Sequence, residues 1–279
     1  MSNKFIEFFK NIASTKKSPA NEKEFLKKIE NGFKNNEFKM YLQFIVDNKT
    51  KKLVSAEALS RWVNAEGEVI MPGKYIKLME KTGIIVEFDY YMFEKVCKKL
   101  SEWKNTEFSE FSIFCNFTRI TISQKDFVKR IKAIADKYDF NREQLFIEIT
   151  EDTMESNFVI AKQNIIKVKQ LGFGITLDDM GSGYNSLMSI CDYPFDIVKI
   201  DRKILLLTKD KKGESLFLEI ISLAHNLNLK VVCEGVETEE QNLFVSSSEC
   251  DYIQGWYYSR ELPKGKVEEF AKEYMSRFS

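Results

Sequence analysis

The sequence holds a single histidine in 279 residues. That scarcity excludes chemistry built on paired imidazoles, and it argues against metals that favour nitrogen ligands. His225 lies in "ISLAHNLNL", where helical spacing makes it a helix-surface residue rather than a ligand. Any bound metal should be a hard cation with oxygen ligands. Net charge is missing as well: 42 Lys and Arg face 42 Asp and Glu. No broad basic face for a nucleic-acid polymer is expected, so an anionic ligand must be held locally. The five cysteines, Cys97, Cys115, Cys191, Cys233 and Cys250, are odd in number and include no CxxC pair. They read as small hydrophobes in a reducing cytoplasm, not as a disulfide framework or zinc site. No apolar stretch approaches the roughly 20 residues that span a bilayer. The Phe-rich start is interrupted by Glu7 and Lys10 and is no signal peptide. Residues 1–20 read as a tail or linker helix, with membrane contact of this amphipathic segment left open, and 21–279 as one domain.

What is present is an alternation. Short β-rich runs ("FKMYLQFIV", "LVSAEAL", "FSIFCNF", "LFIEIT", "FGITLDD", "FDIVKID", "LKVVCEG", "DYIQG") are separated by stretches of helical period such as "FEKVCKKLSEW" and "ESLFLEIISLAHNL". About eight βα units predict an α/β fold, a TIM-like (β/α)8 barrel. The first two runs are joined only by "DNKTKK", too short for a parallel crossover, so that first strand pair should be antiparallel. Lys-rich "KKIENGFKNNEFK" reads as solvated surface.

The predicted strands close on polar residues: Glu57, Asn116, Glu148, Asp178 with Asp179, Lys199 with Asp201, Glu234 and Gln254. In a parallel barrel these ends share the face where active sites form. Each alone has an ordinary reading. Glu57 suits an exposed helix, Asn116 a turn cap, Glu148 a surface strand, Lys199 an ion pair with Asp201, and "GSGYNS" a Gly-rich turn. Placed together at successive strand ends they are hard to assign to capping. Glu57, Asn116, Glu148 and Asp178 offer hard oxygen donors to one cation, and Asp179 beside Asp178 suits a second shared through a bridging carboxylate. Adjacent aspartates repel unless cations face them.

At this point the chain resembles the EAL-domain phosphodiesterases of cyclic di-GMP. The likeness rests on "AEALSRW" with Arg61 and Trp62, "MPGKYIKLMEKTG", "NFT", "IEITE", "DDMGSGYNSL", "VKID", "EGVETEEQ" and "QGWYYS", in the family's order from about Lys23 onward. It implies hydrolysis of cyclic di-GMP to linear pGpG with two Mg²⁺ or Mn²⁺ ions. It implies metal binding by Glu57, Asn116, Glu148, Asp178, Asp179 and Glu234, with Gln254 completing the shells directly or through water. Lys199 would orient or deprotonate the attacking water, sharing catalysis with Glu57 and Glu234. Gln43, Arg61, Gln254 and Glu237 would face the ligand, with Arg61 on its phosphate. Glu151 would anchor the loop after Asp179, and a homodimer is implied.

Departures from the family pattern are Phe44 for a Pro near the ligand entrance, Met180, Ser182 and Asn185 in the loop, and Glu261 for a Pro after the last strand. None removes a metal ligand or the lysine. Three classes remain: an active hydrolase, a cyclic di-GMP-binding receptor or signalling module of the same fold, and a different metal-dependent barrel phosphodiesterase. The last resembles schemes with paired histidines, which one histidine argues against. No cyclase motif or sensor domain is recognisable, so a sensor partner is one expected source of input.

Overall fold

The computed structural model describes residues 20–150, 159–181 and 190–278. The segment 1–19, Glu151, Ser182 and Asn185 lie outside the described residues. All eight predicted runs are strands: β1 (Phe38–Asp47), β2 (Leu53–Val63), β4 (Ser112–Asn116), β5 (Leu145–Thr150), β6 (Gly174–Met180), β7 (Ile197–Ile200), β8 (Lys230–Cys233) and β9 (Tyr252–Gln254). Two short strands, β3 (Val69–Ile70) and β10 (Leu262–Pro263), are appended to β2 and β1.

From β2 through β9 the barrel strands pair in parallel, and β1 closes the ring antiparallel to both β2 and β9. The short link explains the exception. Asp47 Oδ1 accepts from the Lys49 and Thr50 amides at 3.1 and 2.7 Å, and Lys51 turns the chain with φ 57°. A link this tight can only reverse the strand.

Side chains two apart share a face of a strand. Ile45, Phe114, Ile197 and Val232 form a buried apolar layer inside the ring, with Phe146 and Tyr252 packed on it. Phe146 stacks on Phe114 at 4.8 Å, and its ring lies where a Cβ on Gly174 would be 2.3 Å away, so a side chain at Gly174 would force that ring to move. Two residues after Phe114, Ile197, Val232, Phe146 and Tyr252 stand Asn116, Lys199, Glu234, Glu148 and Gln254, and on antiparallel β1 Gln43 stands two residues before Ile45. The apolar layer is therefore the floor of a polar one.

Helices surround the strands: α1 (Ala20–Lys34), α2 (Ile76–Thr82), α3 (Ile85–Trp103), α4 (Arg119–Ile122), α5 (Phe127–Ala135), α6 (Val159–Gln170), α7 (Arg202–Leu207), α8 (Lys211–Asn226), α9 (Glu239–Ser247) and α10 (Val267–Met275). The stretch read as solvated surface belongs largely to α1. Its lysines are exposed, but Leu26, Ile29 and Phe33 are buried against Phe38, Trp62 and Phe88. Phe38 meets Phe33, Trp62 and Phe88 at ring distances of 4.6, 5.2 and 5.4 Å, which braces the β1–β2 hairpin where it extends beyond the ring. Cys97, Cys115, Cys233 and Cys250 are buried free thiols and Cys191 is exposed. Among the described residues no helix is long and apolar enough to cross a membrane.

Candidate metal and catalytic centre

Lys199, on β7, is fully buried. Its Nζ lies 2.8 Å from Glu148 Oε1, 3.1 Å from Glu57 Oε2, 3.4 Å from Asp178 Oδ1 and 2.5 Å from Glu234 Oε1. Strands β2, β5 and β6 and the residue just past β8 thus deliver carboxylates to one ammonium. Register explains the meeting: Glu57 sits opposite Gln43 across the β1–β2 pair, Asn116 opposite Glu148, and Gln254 opposite Ile45. Asn116 Nδ2 donates to Glu57 Oε1 at 2.8 Å, and Gln254 Nε2 donates to Glu57 Oε2 at 2.7 Å and to Gln43 Oε1 at 3.3 Å. Gln43 in turn donates to the Ser259 carbonyl at 3.0 Å. The suggested Lys199–Asp201 pair does not form among these contacts; Asp201 instead caps α7 by accepting from the Lys203 amide at 2.6 Å.

Two adjacent aspartates in a regular strand would point to opposite faces. Here the β6–β7 register shifts between Leu177 and Met180, and Asp179 takes φ 58°. Asp is among the few residues that tolerate this left-handed region. The shift re-aims the second carboxylate, and ligand oxygens of Asp178, Asp179 and Glu234 come within 4.8 Å of one another.

One ammonium does not balance these groups. Burial would raise Glu57, but Lys199 and the hydrogen bonds from Gln254 and Asn116 hold it below its ordinary range. Burial drives Glu148 well above its range despite Lys199, with Glu57 and Asp178 repelling it. Asp178 is raised by burial, against Lys199, and by Glu57. Burial, Asp178 and Asp201 push Asp179 up to about 7, and burial outweighs Lys199 to push Glu234 up to about 8. Burial opposes the charge on Lys199, but Asp178, Glu148, Glu234 and Glu57 hold its pKa well above normal.

The donor set fits hard divalent cations. Glu148 Oε2 is buried without a hydrogen-bond partner, and Asp178 Oδ1 and Glu148 Oε1 lie within ion-pair reach of Lys199 but off the line of a hydrogen bond. Buried oxygens of this kind call for a further positive charge.

The remaining expected residues lie apart. Arg61 is buried on the hairpin extension and pairs with Glu261 at 3.1 Å; Glu237 pairs with Arg202 at 2.6 Å. A groove of about 680 Å³ runs from Asn116 past Ala58, Leu59, Pro72 and Ile120. Its wall includes Asp89, absent from the expectations above, whose Oδ2 accepts from Thr118 N, Thr118 Oγ1 and Thr121 Oγ1 at 3.0, 2.8 and 2.6 Å. Asp89 thereby fixes the turn that follows Asn116. A lone aspartate on the apolar face of "FDYYMF" was the available signal.

The sequence profile of the EAL domain matches residues 26–261. Signaling protein YkoW of Bacillus subtilis is 30% identical over 250 residues, covering 89% of this chain and 31% of YkoW. MucR of Pseudomonas aeruginosa, a bifunctional diguanylate cyclase/cyclic di-GMP phosphodiesterase, is 30% identical over 216 residues, covering 76% of this chain and 31% of MucR. The chain thus spans about a third of the length of these curated relatives. The solved PaMucR phosphodiesterase in complex with c-di-GMP superposes with a TM-score of 0.82 at 26% identity, covering 88% of this chain and 99% of that one.

Proposed function

The chain belongs to the EAL domain family, and from that membership and the carboxylates gathered around Lys199 we propose that it hydrolyses cyclic di-GMP to linear pGpG with two Mg²⁺ or Mn²⁺ ions. The observation that carries the reading is the convergence of Glu57, Glu148, Asp178 and Glu234 on Lys199 beside Asp179. Glu57, Asn116, Glu148 and Asp178 would hold one ion and Asp178 with Asp179 the other, with Glu234 and Gln254 completing the shells. When bound, such ions neutralise charge on a phosphodiester and ease the ionisation of water.

The chain's own residues do the rest. Gln254 and Asn116 fix both oxygens of Glu57, so its orientation is set before substrate arrives. Lys199, held as an ammonium by its neighbours, orients the attacking water rather than acting as the base. The water oxygen bonds to phosphorus as the water gives up a proton, the bond from phosphorus to the 3′ oxygen breaks, and that oxygen takes up a proton, so the net change is the addition of one water across the bond. Arg61, Gln43 and Glu237 face the nucleotide in this reading, and the groove beside Asn116 receives part of it. A homodimer as the active species, a sensor partner and a cytoplasmic setting belong to the same proposal.

The test is incubation of the purified chain with cyclic di-GMP and Mg²⁺ or Mn²⁺, followed by chromatography. Conversion to pGpG that chelation abolishes is expected. Unchanged nucleotide alongside measurable binding would replace the hydrolase with a receptor.

A further inference from the structure

Five lysines line one cavity of about 560 Å³: Lys39 on β1, Lys95, Lys98 and Lys99 on α3, and Lys264 just beyond β10. No residue of the carboxylate centre lines it. Among the described residues two carboxylates, Glu102 and Glu268, pair with the five ammonium groups. Lys99, itself buried, lies 2.9 Å from Glu268 and 3.5 Å from Glu102, and Lys264 lies 3.8 Å from Glu102. Lys39 reaches the Asn36 carbonyl at 2.5 Å and Lys95 the Asn36 amide oxygen at 3.1 Å, both neutral acceptors. The cavity therefore carries a local excess of three positive charges in a chain whose formal net charge is zero.

A solvated lysine face is usually convex and interleaved with acids. This one is concave, and one of its lysines is already destabilised by the others. Burial, then repulsion from Lys39, Lys264 and Lys98, brings Lys95 down to about 8. Like charges held together in a cavity cost stability until an anion joins them.

We propose that this cavity is a binding site for a small phosphorylated metabolite with at least a diphosphate group. Its size lies within the roughly 300–1,000 Å³ of small-molecule sites and is too confined for a nucleic-acid duplex. Lysine ammoniums serve as point-charge ligands of phosphate, and several of them around one cavity suit adjacent phosphates better than a single carboxylate. Met40, Tyr41, Val63 and Pro263 supply an apolar wall for the organic part of the ligand. The site is independent of the proposed hydrolysis.

The experiment is calorimetric titration of the full chain, freed of metal by EDTA, with pyrophosphate and then ADP at low salt. Saturable binding with one site per chain is expected, weakening as salt screens the lysines. The Lys95→Gln/Lys98→Gln variant should bind at least tenfold more weakly, Lys95→Arg/Lys98→Arg should retain most affinity, and Lys129→Gln, on the exposed face of α5, should match wild type. Thermal melts check folding, and Lys264→Gln, at an exposed turn, reports on the site should the double variant fail to fold. Absence of saturable binding of both probes by wild type, or equal affinity in a folded Gln variant, overturns the proposal.

Discussion

Arg61 and Glu261 face each other as an ion pair at 3.1 Å, with the arginine side chain 7% and the glutamate 22% exposed. Arg61 also donates to the Ser60 carbonyl at 2.8 Å, so its guanidinium is already committed. If Arg61 receives a ligand phosphate as proposed, that phosphate must share it with a carboxylate. Glu261→Gln keeps a hydrogen-bond acceptor and removes the competing charge. At about 1 kcal/mol for such a partly open pair, KM for cyclic di-GMP should fall roughly fivefold with kcat nearly unchanged. Steady-state kinetics decide, and an unchanged KM rules out this competition.

Replacing Lys199 separates folding from chemistry. Lys199→Ala leaves four carboxylates around an uncompensated buried space, which should cost on the order of 3–5 kcal/mol in the metal-free chain. Turnover should drop by roughly 10² to 10⁴. Added Mn²⁺ should raise the melting temperature of the variant more than that of wild type, because it supplies the missing charge. Equal shifts in both proteins would count against Lys199 as the resident cation.

Asp89 makes stability depend on pH. Burial lifts it to about 7, against the hydrogen bonds from Thr121 and Thr118. Its folded pKa is above the unfolded value near 4, so between those limits the folded state binds the extra proton. Stability should therefore fall as pH rises from about 4 to about 7 and lose nothing further from Asp89 above that. Asp89→Asn should flatten this segment of a melting-temperature profile. A profile with the wild-type slope would show that other groups set it.

Gly174 and Phe146 should behave as one unit. A methyl group at Gly174 meets the Phe146 ring at 2.3 Å, and Glu148 lies two residues beyond that ring. Gly174→Ala should destabilise by about 1–3 kcal/mol and lower turnover by moving Glu148. Phe146→Leu in the same chain should recover part of the stability. A double-mutant cycle without coupling would separate the two positions.

The fold was legible because its strands carry apolar, β-branched runs between clear helical periods, and the antiparallel start followed from a link of six residues, "DNKTKK". Helix α1 was obscured by its own lysines: Lys27, Lys28 and Lys34 dominate the string, while Leu26, Ile29 and Phe33 fall on the hidden face. The site's polar strand ends were visible as a set. Three features were not, because each depends on geometry absent from a linear string. The Asp178–Asp179 shift arises from pairing with β7, the Glu261 carboxylate reaches Arg61 from the link just before β10, and Asp89 acts on Thr118 from within α3.

The antiparallel first strand also sets a timetable for synthesis. β1 finds its second neighbour only in β9 and β10, and Gln43 donates to Ser259 across 216 residues of chain. A nascent polypeptide shorter than that carries β1 with one edge unpaired, the condition in which strands recruit the wrong partners. Glu57 then lacks Gln254, and the ring stays open, until the last strands leave the ribosome. Loss of the C-terminal strands would remove part of the centre and reopen the barrel in a single event.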